Sequence, residues 1–254
     1  MPHEMTFRGL IVRETAIGEQ DKLISVISEG DGKLLLTCKG VRSIKSQRLA
    51  ATQLFCYDEF TVTEKNGRLY LKEAVLIENF YALREDIERL ALAQYVCDAV
   101  CEVSMEGETD NGTVLSLTLN TLYAVAGRIK PLPLIKGAFE MRLSAEIGFM
   151  PMLDTCSICS SEKEHNYLDI NGGVLICSDC FLDMPGDKHT DTAPLPHALL
   201  LALRYVVSAP VKRLFSFTVA EELYADLSLV CEKYFLARVE HGFETLSFYH
   251  SLGF

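Results

Sequence analysis

The residues with the clearest chemistry are four cysteines: Cys156 and Cys159, then seventeen residues, then Cys177 and Cys180. Two Cys-x-x-Cys pairs at this separation fit a tetrahedral zinc site, each pair giving two thiolates to one ion. Between them, Tyr167-Leu168-Asp169-Ile170 and Val174-Leu175-Ile176 are β-prone runs, parted by Asn171-Gly172-Gly173. Asn-Gly accepts the positive φ of a tight hairpin, and a hairpin here returns the second pair beside the first. Two disulfides, or two unrelated cysteine pairs, are the competing readings. A redox Cys-x-x-Cys would sit once in a βαβ pattern rather than twice across a hairpin. His165 in the loop could replace one thiolate, although a solvated loop histidine is the plainer reading. Cysteine at all four positions leaves no coordination site open to water or substrate, so the expected ion is structural Zn2+. The His-x-Glu and Pro-Cys-x-x-Cys signature of zinc deaminases is absent.

A second constellation is cationic. Lys33, Lys39, Arg42, Lys45 and Arg48 fall within residues 33–48 with no acidic residue among them. The segment has no apolar period and reads as an exposed loop. Such a patch attracts phosphate, with serine, glutamine and backbone N–H groups adding hydrogen bonds. A loop charged only for solubility fits the composition equally well. Phe55, Tyr57, Phe60 and Tyr70 are candidates for base stacking, but aromatics on alternating strands are more often core.

The elements that must position these groups change character along the chain. Residues 1–79 read as five short strands. Phe7–Arg13, Leu23–Ile27, Lys33–Cys38, Phe55–Thr63 and Arg68–Ile77 are the runs, with turns at Asp31-Gly32 and Asn66-Gly67. Five strands in this length predict an OB-fold barrel. Helical spacing then begins near Leu83 and ends at Glu102-Val103-Ser104, before a loop over 107–112. Further helices are expected over Thr113–Gly127, Leu134–Ile147 with Gly148 as cap, and His197–Val207. A capping box at Thr218–Glu221 predicts a helix start at Thr218. Thr192–Pro196 reads as linker and Leu246–Tyr249 as an apolar tail. The expected fold is α+β and multidomain. It comprises an OB-fold DNA-binding domain (1–79), a mainly helical domain in two pieces (80–150 and 185–254) and an inserted zinc ribbon (151–184).

The composition bounds the function. The 254 residues carry a formal charge of −11, yet residues 1–79 hold eleven basic and eleven acidic residues. The acidity lies wholly in the remainder, which argues against a uniformly basic nucleic-acid binder. An apolar fraction of 49% supplies ample core. No apolar run approaches the roughly 18 residues of a membrane span, and the first residues lack a signal pattern; the expectation is a cytoplasmic chain. Cys38, Cys56, Cys97, Cys101 and Cys231 fall in apolar segments, where a thiol acts as a small hydrophobe. Phosphate-binding glycine loops, nucleophile elbows and metal-catalysis clusters are missing from the sequence.

The order of parts resembles the RecO family of bacterial DNA repair proteins over essentially the full chain. The most specific stretches are Lys39-Gly40-Val41-Arg42-Ser43-Ile44-Lys45-Ser46 and the two cysteine pairs. Gly18-Glu19-Gln20-Asp21-Lys22 and Asp31-Gly32-Lys33 add to them. The resemblance implies a recombination mediator with no bond-breaking turnover, cytoplasmic and nucleoid-associated when acting. Such a protein binds single- and double-stranded DNA and anneals complementary strands. It also engages the single-stranded DNA-binding protein SSB and, with RecR, promotes RecA loading. It further implies phosphate contacts from Lys33, Lys39, Arg42, Lys45 and Arg48, and structural zinc on Cys156, Cys159, Cys177 and Cys180. An SSB-docking groove with a basic rim is expected on the helical domain. Arg128, Lys130, Lys136 and Arg142 are nearby, without an assignment. The alternatives are an adaptor whose DNA contact comes from a partner, separated by DNA binding of the chain alone, and a metal-dependent nuclease, separated by a nuclease assay.

Overall fold

The computed structural model describes residues 3–43, 45–46, 48–106, 112–162, 166–186 and 191–253. The chain divides into two compact units, residues 1–127 with 243–254, and residues 128–242.

The first unit is built on a closed barrel. Its strands are β1 (His3–Ile17), β2 (Asp21–Ser28), β3 (Lys33–Cys38), β4 (Tyr57–Lys65) and β5 (Arg68–Glu78), in the order β1-β2-β3-β5-β4. All pairings are antiparallel except β3 with β5. This order and size define an OB-fold, as the strand pattern predicts. The hairpin Asn66-Gly67 turns with φ of 54° and 70°, which the asparagine tolerates and the glycine adopts freely. Closure rests on β1, which pairs with β4 through His3–Leu10 and with β2 through Gly9–Ile17. Gly9 belongs to both pairings. A Cβ there would lie 2.4 Å from Val26 Cγ1 and 2.7 Å from the Ile27 carbonyl oxygen, so only glycine allows the approach.

Alternate residues fill the barrel. Ile11, Ile24, Val26, Leu36, Cys38, Phe60, Val62 and Leu71 form one buried cluster, joined by Val41 and Cys56 from the β3–β4 connection. Asp58 is buried with them, and neither carboxylate oxygen has a hydrogen-bond partner among the described residues. Burial pushes its carboxyl up to about 7.

Among the described residues, three α-helices complete this unit: α1 (Ile87–Val103), α2 (Thr113–Gly127) and, near the end of the chain, a helix over Glu244–Ser251. Asp86 caps α1 by accepting from the N–H groups of Glu88 and Arg89 at 3.0 and 3.1 Å. Cys97 and Cys101 are buried on α1, as small hydrophobes. Arg13 on β1 donates to Asp98 of α1 at 2.6 Å, and Tyr95 packs edge-on against Phe243. The segment expected as a loose apolar tail is thus a helix, held by Leu246 and Tyr249, both buried. The loop over 107–111 lies outside the described residues.

The second unit carries α3 (Leu132–Glu146), β6 (Met152–Cys156), β7 (Asn166–Asp169), β8 (Val174–Cys177), α4 (Ser178–Leu182), β9 (Thr192–Leu195), α5 (His197–Ser208) and α6 (Tyr224–Val239). The Glu244–Ser251 helix of the first unit is α7 in chain order. Pro133 does not delay α3: it sits in the first turn, where its missing N–H has no intrahelical partner to lose. The capping box fails as a start signal. Residues 221–223 form a 3-10 turn and α6 begins at Tyr224 without a side-chain cap. Its start follows instead from burial of Leu227, Val230, Cys231, Tyr234 and Phe235. The expected linker Thr192–Pro196 supplies β9, an edge strand of the sheet β6-β8-β7-β9. Pro194 reads as a breaker, but a strand edge tolerates its missing donor.

The sign of the Asp58 shift gives a test. Its folded-state affinity for a proton exceeds the unfolded one, so its penalty is absent below about pH 4. The penalty grows as pH rises toward about 7, reaching at most ~4 kcal/mol. Urea unfolding of Asp58→Asn against wild type should show the wild type losing stability between about pH 4 and 7 and the variant losing much less. Equal slopes would contradict the buried carboxyl.

Candidate metal centre and nucleic-acid face

The cysteine pairs are brought together as their spacing predicts. β7 and β8 pair from Asn166–Cys177 to Asp169–Val174, and the turn over 170–173 takes its positive φ, 66°, at Gly173. The first pair lies in a tight loop after β6, closed by the Ser160 N–H on the Cys156 carbonyl at 2.8 Å and the Cys156 N–H on the Ser161 carbonyl at 3.0 Å. The second pair bridges the end of β8 and the first turn of α4. All four sulfurs lie within 4.8 Å of one another. Tetrahedral Zn–S bonds of about 2.3 Å set sulfurs roughly 3.8 Å apart, and Cys159 and Cys177 are 3.7 Å apart. Every cysteine is a free thiol, so the disulfide alternative is not adopted.

The electrostatics also suit a cation. The Ser161 hydroxyl, 2.9 Å from Cys159, and the Ser161 backbone hold the Cys159 thiol down at about 6. Cys180 is pushed up, first by its bond to Cys159. Thiols this close do not all ionise unless a positive charge offsets their repulsion. The donor set therefore fits a divalent, thiophilic ion. His165 lies outside the described residues.

Two arginines fasten this small sheet to helices of its own unit. Arg204 of α5 donates to the carbonyls of Leu153 and Asp154, each at 2.7 Å. Arg238 of α6 stacks on Tyr234, 4.4 Å from the ring centroid, and donates to the carbonyls of Ile170 and Asn171 in the hairpin turn. A Cβ on Gly173 would meet the Tyr234 hydroxyl at 2.7 Å, so this turn needs glycine for its φ and for its contact.

The basic segment occupies the connection from β3 to β4. It is docked rather than loose. Val41 is fully buried in the barrel core. The Gly40 N–H donates to Asp21 Oδ1 at 2.8 Å, and the Arg42 N–H to the Gln20 carbonyl at 3.0 Å. Arg42 Nη1 reaches the Gly18 carbonyl at 2.8 Å, joining the loop to the β1–β2 turn. Lys39, Arg42 and Lys45 are exposed.

The other two cations are partly engaged. Arg48 donates to the carbonyls of Leu71 and Lys39 at 3.0 and 3.1 Å. Lys33 donates to the Cys101 carbonyl in the last turn of α1 at 2.8 Å. Lys45 and Arg48 line an open cleft of about 580 Å³ with Gly40, Ser43, Ser46, Lys72 and Glu73. Ile44 and Gln47 fall outside the described residues.

Lys72 was not legible as a site residue. Thr61 pairs with Glu73 and Val62 with Leu71, so Lys72 is the extra residue of a β-bulge, which turns both Lys72 and Glu73 toward the cleft. The aromatic candidates separate clearly. Phe55 and Phe60 are buried. Tyr57 faces Glu29, its hydroxyl 3.5 Å from Oε1. Tyr70 alone of the four adjoins the basic loop, with Lys39 Nζ 5.7 Å from its ring centroid.

In the second unit, Lys136 is fully buried in an ion cluster, 3.0 Å from Glu140 and 2.5 Å from Glu232. Arg142 bonds Glu146 and the carbonyls of Val206, Val207 and Ala209. Neither forms part of an exposed basic rim.

Comparison with known proteins agrees with this architecture. The family model described as "Recombination protein O N terminal" matches residues 1–80, and "Recombination protein O C terminal" matches residues 84–247. The DNA repair protein RecO of Acetivibrio thermocellus is 31% identical over 246 residues, covering 96% of this chain and 95% of the relative. That of Caldanaerobacter subterraneus subsp. tengcongensis is 23% identical over 94% of this chain and 95% of its own length. That of Listeria innocua is 28% identical over 89% and 86%. An OB barrel, helices and a four-cysteine cluster matched in this way define a DNA repair protein. The chain belongs to the RecO family. Among the described residues, no helix is long and apolar enough to cross a membrane.

The metal centre yields a direct expectation. Protein purified without chelator should hold about one zinc per chain, and Cys177→Ser should lower both zinc content and the thermal midpoint, by roughly 5 °C or more. Elemental analysis with calorimetry checks both; full melting stability without metal would exclude a structural ion.

Proposed function

We propose that this chain is a recombination mediator: it binds DNA through the basic face of its barrel and anneals complementary single strands. With RecR it would promote RecA loading onto single-stranded DNA coated by SSB. DNA repair is the activity that family membership carries. The annealing step and the partners RecR, SSB and RecA come from the resemblance. The observation that supports the DNA site is the docked β3–β4 connection, which presents Lys39, Arg42 and Lys45 as exposed cations, a local excess on a module whose eleven basic and eleven acidic residues balance only with them counted. Phosphates are attracted to such a local excess even when the whole chain is acidic. Lys33 and Arg48 belong to the same proposed set, with part of their donor capacity already on backbone carbonyls. For the metal we propose structural zinc on Cys156, Cys159, Cys177 and Cys180.

The proposed division of labour assigns DNA to residues 1–79, metal to 151–184, and protein partners to the helices of 80–150 and 185–254. A non-enzymatic adaptor is the second reading. It is favoured by the internal engagement of Lys33 and Arg48, which leaves three of the five cations exposed.

Fluorescence anisotropy of labelled single-stranded DNA across a salt series separates the two readings. The mediator reading expects binding by the chain alone, weakening steeply with salt. Arg42→Glu with Lys45→Glu should weaken it about tenfold or more and flatten the salt slope by about 0.7 per lost contact. No binding at low salt, with zinc present, would favour the adaptor.

A further inference from the structure

The outward face of β5 carries an alternation that the basic loop does not account for. Leu69 and Leu71 point into the barrel core, so Arg68, Tyr70 and Lys72 share the opposite face. Arg68 and Lys72 are exposed, and Tyr70 is half-buried between them. Alternate residues of a strand lie about 7 Å apart, so Arg68 and Lys72 stand roughly 13 Å apart with Tyr70 midway. The order is cation, aromatic, cation. We propose that this face of β5 is a track for single-stranded DNA: Arg68 and Lys72 hold phosphates, and Tyr70 stacks an unpaired base.

Four observations carry the assignment, which deepens and rests on the DNA-binding reading above. First, the β-bulge at Lys72 turns that residue into the same cleft as Lys45 and Arg48, so the track continues into the basic loop. Second, the two contacts that hold these side chains in the unbound protein are weak and exposed. Lys72 pairs with Glu4 at 2.7 Å, but the two side chains are 59% and 51% accessible, and such a pair exchanges readily for phosphate. Lys39 covers the Tyr70 ring through a cation–π contact, at 5.7 Å, and is itself exposed. A base that displaces the ammonium from the ring frees it for the adjoining phosphate.

Third, β5 lies beside β3 at this point, with Tyr70 in register with Thr37, and Arg68 directly follows the Asn66-Gly67 turn. Ligands of OB barrels use strands and loops in this region. Fourth, Tyr70 is the one of the four candidate aromatics that is both partly accessible and beside a cation of the basic loop, since Phe55 and Phe60 are buried and Tyr57 faces Glu29. Glu73 is the acidic member of the cleft lining, beside Lys45, Arg48 and Lys72.

The presence of an aromatic selects the ligand. A duplex buries its base faces in its own stack, so it can satisfy Arg68 and Lys72 but not Tyr70. A single strand satisfies all three. The track therefore separates single from double strands, a distinction the cationic loop alone does not make.

The chain contains no tryptophan, so Tyr70→Trp places a single reporter on the track. Saturating oligo-dT should quench its emission with the same midpoint that anisotropy reports, while a duplex of equal length leaves the emission unchanged. Tyr70→Leu, which keeps bulk without a π face, should weaken oligo-dT binding about 5- to 10-fold and duplex binding less than 2-fold. Lys72→Gln should lower the salt slope for oligo-dT by about 0.7. Oligo-dT binding with unmoved tryptophan emission, or equal losses on both DNA forms in Tyr70→Leu, overturns the track and leaves the basic loop standing. Absence of any DNA binding by the wild-type chain overturns the parent reading and the track together.

Discussion

Barrel closure in the order β1-β2-β3-β5-β4 imposes a constraint on which the placement of the basic segment depends. β4 does not neighbour β3, so the chain must leave the end of β3 and travel to the far side of β5 before it re-enters the barrel. Residues 39–56 make that journey, and they contain most of the basic segment. The connection cannot hang free, because backbone left unpaired over a barrel end must find partners. Val41 anchors it in the core, Asp21 and Gln20 take its amides, and Arg48 ties it to β5. The cations are thereby held on a fixed platform rather than on a mobile strand.

Charge explains why that platform matters in a chain of net −11. In the second unit, arginines and a lysine that could oppose the acidity are drawn into internal bonds. Arg142, Arg204 and Arg238 serve backbone carbonyls, and Lys136 sits between Glu140 and Glu232 with no exposure. A buried lysine between two carboxylates is held charged by them, against the desolvation that burial imposes. Removing the lysine would leave the Glu140 and Glu232 carboxylates facing each other without a cation between α3 and α6. These four groups hold structure, while Lys39, Arg42 and Lys45 of the barrel loop stay exposed.

The four-thiol centre obeys the same logic at shorter range. Its sulfurs are gathered by a hairpin, a tight loop after β6 and the first turn of α4, and their proximity raises the cost of ionisation until a cation joins them. Arg204 and Arg238 then fix the small sheet to α5 and α6 through carbonyls rather than through apolar packing alone. A metal that orders the hairpin therefore also orders the turn that Arg238 grips.

The features legible in the sequence were those decided within a few residues of chain. The Asn66-Gly67 hairpin, the cysteine pairs with their hairpin, α2 over Thr113–Gly127 and the strand Lys33–Cys38 follow from turn chemistry, spacing and periodicity, which act locally. The OB order was inferable from strand number and length. Tertiary structure decided the rest. Pro194 became part of an edge strand because β7 offered an open side. Thr218 did not start a helix because the burial that nucleates α6 begins at Leu227. The basic residues looked alike in the sequence, yet Arg48 bonds carbonyls 23 positions away, Lys33 bonds the end of α1, and Lys72 faces the cleft because a bulge shifts the register of β5. Residue type and spacing fix what a side chain can do; the partner it meets is set by strand register and long-range packing, which no local window contains.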